Sequence, residues 1–275
     1  MSVEAEAFKV LYPEQYFARF FEKQSRPDSR SLTRARATTI GFDAVSSADS
    51  SALVKIGSTT ALATAVISPC NPTLYKADVG GISVQVEITP LCAEDTIPGR
   101  YGDWGKTLAR QIERILHKTS FLSDEQLTIP DSVARWGVSL SVTILDADGC
   151  IFDAAFLSCV SVLRSVRLPK VEVDTVKKAK RTGRADSDGR QFKPASRPVS
   201  STFGALNGCL VADPTAEEEA VMTGSVTTVV EENGNLLGMF QSGTVGLKNM
   251  RNSIEIAKMR QKEVDALLNQ AIKTI

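Results

Sequence analysis

An α+β fold is what this 275-residue sequence predicts, on three observations. Period-two alternation and helix-period stripes fall in separate blocks: strands, helix, strand, helix, a polar stretch, strands, helix. The segment "ISVQVEIT" (Ile82–Thr89) alternates without a fault, the mark of a half-buried strand. From about Leu247 to Ile272 the chain reads as one long closing helix. The length suits one large domain or two modest ones sharing a core.

The elements follow in order. "PEQYFARFFEK" (Pro13–Lys23) sets Tyr16, Phe17, Phe20 and Phe21 on one stripe behind a proline suited to a first helical turn, so an amphipathic helix is expected. "RPDSR" (Arg26–Arg30) ends it with turn residues. "SSALVKIG" and "TALATAVI" alternate on either side of Gly57–Ser58, which predicts a hairpin. After Ile82–Thr89 come a loop at Pro98–Gly99 and a helix from about Asp103 to His117, with Leu108, Ile112 and Ile115 on its apolar face. "RWGVSLSVTIL" is a second long alternating strand, carrying Trp136, Val138, Leu140, Val142 and Ile144. "DADG" turns it into "AAFLSCVSVLRSV", apolar enough for a largely buried helix. Lys177–Arg197 is basic and polar and reads as a flexible linker. "STFGALNGCLVAD" and "GSVTTVVEENGNLLGMF" give further strands, the latter a hairpin about Glu232–Asn235. On the final helix Met250, Ile254, Ala257, Val264, Leu268 and Ala271 form the candidate packed side. The expected divisions are an N-terminal helical extension (1–25), a core domain (26–175), a basic linker (176–197) and a C-terminal subdomain (198–275).

Composition removes several function classes. Lys and Arg total 32 and Asp and Glu total 32, so any nucleic-acid site must be a local patch. No apolar run approaches the roughly 18–20 residues of a membrane span, and "MSVEAEAFKV" lacks the order of a secretory signal. Five scattered cysteines (Cys70, Cys92, Cys150, Cys159, Cys209) without a CxxC, and a single histidine, His117, argue against zinc and for reduced intracellular thiols. His117 ends a helix and reads as a surface or packing residue. There is no GxSxG, HExxH or P-loop pattern.

The stretch "RPDSR…SSADSSALVKIGSTTALATAV" resembles the entry signature of the RNase PH family, and the likeness continues through "DADGCIFDAA" and "ADPTAEEE". Within that family, "LYPEQYFARFFEKQSRPDSR" and "DPTAEEE" look most like a ring subunit of the eukaryotic RNA exosome. The resemblance implies mixed β-sheets packed with helices, a core like ribosomal protein S5 domain 2, and a C-terminal helix. Its active members are 3′→5′ exoribonucleases that attack with phosphate or, in a few, a metal-bound water. Such chemistry needs arginines around the phosphate and carboxylates around magnesium.

Set against that pattern, three parts are altered here. Gly102 and Asp103 stand where active relatives have paired arginines, with Arg100 close by. Ile151 and Phe152 occupy the phosphate-contacting positions after the Asp-Gly turn, followed by Asp153. Glu219 and Ser225 occupy the positions of two metal-binding aspartates. The resemblance therefore implies a subunit without catalysis, resident metal or cofactor, and an acidic run that is a vestige; Glu217, Glu218 and Glu219 then form either a solvated turn or a subunit contact. An active phosphorolytic enzyme using Arg100, Asp213 and Glu217–Glu219 is the alternative, and a partner-binding protein of this fold without a ring is another. Lys106, Arg110 and Arg114, four residues apart, share a helix face and are the candidate RNA contacts, against a solvated, salt-bridged face near Glu113. The linker cations Lys177, Lys178, Lys180, Arg181 and Arg184 are weaker candidates. Family likeness implies as partners a six-membered ring of related subunits, S1/KH-type cap proteins, single-stranded RNA and a hydrolytic nuclease. It implies residence in nucleus, nucleolus and cytoplasm.

Overall fold

The computed structural model describes residues 3–70, 81–89, 92, 101–119, 121–173, 179–183 and 191–273. Two helices open it, α1 (Val3–Leu11) and α2 (Pro13–Glu22). Pro13 sits in the first turn of α2, where its missing N–H has no partner to lose. The aromatic stripe is turned inward: Tyr16, Phe17 and Phe21 are buried against Leu32, Leu206 and Val211, with Phe20 at the margin. Both helices thus rest on the body of their own chain, and α1 was not foreseen as a separate element.

The first sheet contains β1 (Thr38–Phe42), β2 (Ser50–Ile56), β3 (Thr59–Cys70), β4 (Gly81–Ile88) and β5 (Arg135–Asp146), in the order β1-β2-β3-β5-β4. The β2–β3 hairpin turns at Gly57–Ser58, where Gly57 adopts φ +60°. β4 lies parallel to β5, a pairing that requires a long crossover. That crossover carries α3 (Tyr101–Lys118) and the short α4 (Asp124–Leu127). Leu108, Ile112 and Ile115 of α3 are buried, as are Trp136, Val138, Leu140, Val142 and Ile144 of β5.

Helix α5 (Ile151–Ser165) is buried from Ile151 to Leu163 and packs against β2 and β3 on one side. A small hairpin follows, β6 (Val171–Val173) with β7 (Ala179–Arg181). The second sheet, ordered β11-β10-β8-β9, consists of β8 (Val199–Leu206), β9 (Cys209–Ala212), β10 (Gly224–Val230) and β11 (Leu236–Gly243). Its β8 packs on the other side of α5, which is why that helix is buried on both sides and largely apolar. Between β9 and β10 lies α6 (Ala216–Val221), and α7 (Leu247–Ile272) covers β8 and β10. Ala257, Val264 and Leu268 are the buried residues of the predicted stripe on α7; Met250, Ile254 and Ala271 are half-buried.

The linker expectation is corrected where the chain is described; Lys177, Lys178 and Arg184 lie outside the described residues. Ala179–Arg181 is a strand, and Arg181 forms an ion pair with Asp49. Phe192 is 3% exposed in the main core, and Arg197 pairs with Glu232 and Asp265. One buried aromatic contributes about 1.5–3 kcal/mol, enough to pin a segment that composition alone marks as loose.

Candidate functional site

The acidic run after β9 divides its carboxylates among three environments. Glu217 is exposed and meets Lys9 of α1 at 2.6 Å. Glu218 is only 2% exposed and forms a bidentate pair with Arg26, itself 1% exposed. Arg26 also donates to the carbonyls of Ala212 (2.7 Å) and Asp213 (3.0 Å), so its guanidinium is committed to this corner. The same Glu218 closes a capping box on α6: it accepts from the Thr215 amide at 2.9 Å while the Thr215 hydroxyl accepts from its own amide. A solvated turn is therefore the wrong description of this carboxylate.

Asp213 is held just as firmly. The Arg36 backbone amide and Nε donate to its Oδ2 at 2.7 and 2.9 Å, and Nη2 donates to Oδ1 at 2.7 Å. Burial alone would raise the Asp213 carboxyl, but the hydrogen bonds and charge of Arg36 outweigh it and keep the group below the usual carboxylate range. Arg36 reaches on to the Asp148 carbonyl (2.5 Å) and carboxylate (3.2 Å), tying the Asp-Gly turn to the acidic run. Gly149 in that turn has φ +75°, and a Cβ there would stand 2.4 Å from the Pro214 carbonyl oxygen. Only glycine permits that approach.

Glu219 faces elsewhere. Its Oε1 accepts from the Cys150 amide at 2.8 Å, and it lines a cavity of about 460 Å³. Burial raises its carboxyl, partly offset by the Cys150 amide. The wall is assembled from three separated segments: Trp104, Leu108 and Gln111 of α3, Cys150–Phe152 at the head of α5, and Met222–Ser225 leading into β10, closed by β11. Phe152 stacks on Phe156 with ring centres 5.9 Å apart and meets Phe240 at 5.8 Å. Among the described residues, Glu219 is the one carboxyl side chain lining this wall, and no lysine or arginine lines it. A magnesium ion does not suit these donors. Ser225 is uncharged, Asp213 is held by Arg36, and among the described residues no three carboxylate, cysteine or histidine side chains are placed to hold a metal ion together. The Cys150 thiol is pushed well up, by burial first and then by Asp213, Asp153 and Glu219, which leaves it protonated and inert.

The structure thus brings together Phe152, Glu219 and Ser225, three positions that the sequence singled out in two separate segments. Gly102 and Asp103 start α3, where Asp103 is exposed and pairs with Lys106 at 3.4 Å. Arg100 lies outside the described residues. Lys106, Arg110 and Arg114 are exposed along one stripe of α3. His117, at the helix end, has Nε2 3.1 Å from the Ile82 carbonyl. Arg26, Arg36 and Asp148 went unnoticed, although "RPDSR" and the Thr215-x-x-Glu218 pattern were signals of a buried cap and its partner.

A family model described as 3′ exoribonuclease family, domain 1, matches residues 34–169, and its domain 2 matches residues 196–273. The exosome complex component Rrp42 of Aeropyrum pernix is 30% identical over 85% of this chain and 84% of that protein. The chain belongs to the RNase PH family. Among its RNase PH relatives, exosome complex component rrp43 of Schizosaccharomyces pombe is 24% identical over 94% of the chain and 96% of the relative. That relative matches the likeness to ribosomal RNA-processing protein 43 carried by "LYPEQYFARFFEKQSRPDSR" and "DPTAEEE". The fold is similar to a chain of the Archaeoglobus fulgidus exosome solved with RNA bound to the active site, with a TM-score of 0.78, 22% identity and coverage of 96% of this chain and 99% of that one. An archaeal exosome core chain aligns with a TM-score of 0.74 at 21% identity, covering 96% and 100%.

Proposed function

We propose that this RNase PH-family chain is a catalytically inactive ring subunit of an RNA exosome, which completes the ring and guides single-stranded RNA toward a nuclease. The observation that carries the reading is the cavity where α3, the Asp-Gly turn and the acidic run converge. Phosphorolysis asks that wall for cations to neutralise an attacking phosphate and for carboxylates to hold a metal. It offers Phe152, Ser225 and one carboxylate. The aromatic face of Phe152 repels an anion where a guanidinium would bind it.

In this reading Lys106, Arg110 and Arg114 touch the RNA backbone, with Arg100 beside them. Their contacts strengthen binding without reading sequence and weaken it with salt. Related subunits complete a six-membered ring, S1/KH-type proteins cap it, and a hydrolytic nuclease receives the RNA, in nucleus, nucleolus and cytoplasm. The enzyme alternative is weakened by geometry: of Asp213 and Glu217–Glu219, only Glu219 lines the cavity.

The test incubates end-labelled RNA with phosphate and magnesium, using the purified chain alone and its co-purifying ring. The expected result is no nucleoside diphosphate release by the chain alone, and RNA protection by the ring that weakens in Arg110→Ala and Arg114→Ala. Diphosphate release by the chain alone, abolished in Glu219→Gln, would establish the enzyme instead.

A further inference from the structure

The cavity of about 460 Å³ at the head of α5 lacks the cations that phosphate needs, and the same lining suits a different ligand. Three aromatic side chains border it. Phe152 and Phe240 meet at 5.8 Å on its apolar wall, and Trp104, in the first turn of α3, is 45% exposed. An indole left that open beside a cavity offers a flat apolar surface for stacking. Among the described residues on the lining, the polar side chains are neutral amides, hydroxyls and a thiol, with one carboxylate, Glu219. Glu219 is exposed, and the Cys150 amide at 2.8 Å takes up only part of what a carboxylate can accept.

A ligand for this wall is flat, and it donates hydrogen bonds to a carboxylate. It also accepts them from amides such as Gln111 and hydroxyls such as Ser225 and Ser242. An arginine side chain meets the first two demands and fails the third, because a guanidinium accepts nothing. The exposed cations Lys106, Arg110 and Arg114 on the same helix also disfavour it. Guanine meets all three. Among the four RNA bases it alone sets two N–H donors, N1–H and the N2 amine, side by side, matching the two oxygens of one carboxylate. Adenine and cytosine place an acceptor beside their amine, and uracil has one donor between two carbonyls.

We propose that this cavity binds a guanine base, whose N1–H and N2–H bonds are accepted by Glu219 while its ring packs against Trp104 and Phe240 and its carbonyl oxygen faces the neutral amides and hydroxyls. The inference rests on the reading that this wall holds no phosphate; it requires neither the ring nor the RNA path. Two sources supply the base. One is a free guanine nucleoside. The other is a guanosine within single-stranded RNA, its phosphates lying outside the cavity along Lys106, Arg110 and Arg114.

The experiment titrates the full chain at pH 7.5 with guanosine, inosine, adenosine, inorganic phosphate and an acetylated, amidated arginine, read by calorimetry and by tryptophan fluorescence. Guanosine should bind and quench the fluorescence. Inosine, which lacks the N2 amine, should bind about tenfold more weakly, and adenosine and phosphate should not bind. Glu219→Gln, which keeps an oxygen for the Cys150 amide, should weaken guanosine binding about tenfold. Trp104→Leu changes an exposed residue, should abolish the quench and weaken binding several-fold, and serves if the first variant does not fold. A uridine oligonucleotide carrying one guanosine, binding tighter than guanosine itself, assigns an RNA base; tighter binding of guanosine assigns a free nucleoside. No guanosine binding, equal binding by Glu219→Gln, or tighter binding of the arginine derivative overturns the proposal. Phosphate binding with diphosphate release by the chain alone would instead overturn the inactive-subunit reading on which it rests.

Discussion

Two neighbouring environments receive carboxylates from the same short run, and they treat them in opposite ways. On one side Asp213 and Glu218 are enclosed by Arg36 and Arg26, each charge matched by a bidentate partner. On the other, Glu219 looks across an aromatic wall, held by the Cys150 amide, with no ion pair of its own among the described residues. One residue along α6 separates a carboxylate that holds the fold from one that faces a cavity. Acidic clustering in a sequence therefore reports local charge density; which of its members has function is decided by the partners that the fold brings from elsewhere.

The largest effect should come from breaking the enclosed side. Arg26→Met or Glu218→Leu alone leaves a buried charge without its partner, and unfolding by urea should show a loss of about 3–5 kcal/mol. The double variant should recover much of that loss, because the desolvation of both charges disappears with them. A loss below about 1 kcal/mol in the single variants would mean that the pair is solvated.

Asp153 sharpens the comparison, as a buried carboxylate without an arginine. Its folded-state carboxyl holds a proton up to about pH 6, whereas the unfolded group releases it near 3.8. The folded state thus binds the proton more tightly, so this contribution is complete below about pH 4 and is lost as pH rises through 6. It amounts to about 3 kcal/mol. Asp153→Asn should flatten the pH dependence between 4 and 6 and raise stability at pH 7.5 by up to that amount. Unfolding curves across the window test it, and an unchanged slope contradicts it.

Smaller effects separate the cap from the pair. Thr215→Ala removes one half of the capping box and should cost about 1 kcal/mol, leaving the Arg26–Glu218 contact in place. Arg110→Ala and Arg114→Ala should alter stability by less than about 0.5 kcal/mol, since both residues are exposed. Each should reduce the salt dependence of RNA binding by the ring by about one unit of slope if it contacts a phosphate. An unchanged slope would return this stripe to the status of a solvated helix face.

Much of the fold was legible because its signals are local. Alternation located β4 and β5, the Gly57–Ser58 turn located the hairpin, and α7 runs from Leu247 to Ile272 as its stripe suggested. The strands β6 and β7 were not legible, being three residues each. Their stability comes from anchors such as Arg181–Asp49, which lie far apart in the chain. The same limit governed the site. Phe152, Glu219 and Ser225 could be picked out one by one, and the fold gathers them round one cavity. That Glu218 is buried and Glu217 exposed depends on Arg26, 192 residues away, and no local pattern states it.

That distance has a consequence for how the molecule comes into being. The aromatic face of α2 rests on Leu206 and Val211, and Arg26 finds its carboxylate only at Glu218. On the ribosome α2 and Arg26 emerge well before residues 206–218, which form their docking ground. Until the second sheet exists, Phe17 and Phe21 remain in water or in the grip of a chaperone. The helix at residues 13–22 thus has its surface only when the second half of the chain is in place, and its docking requires both halves to have closed.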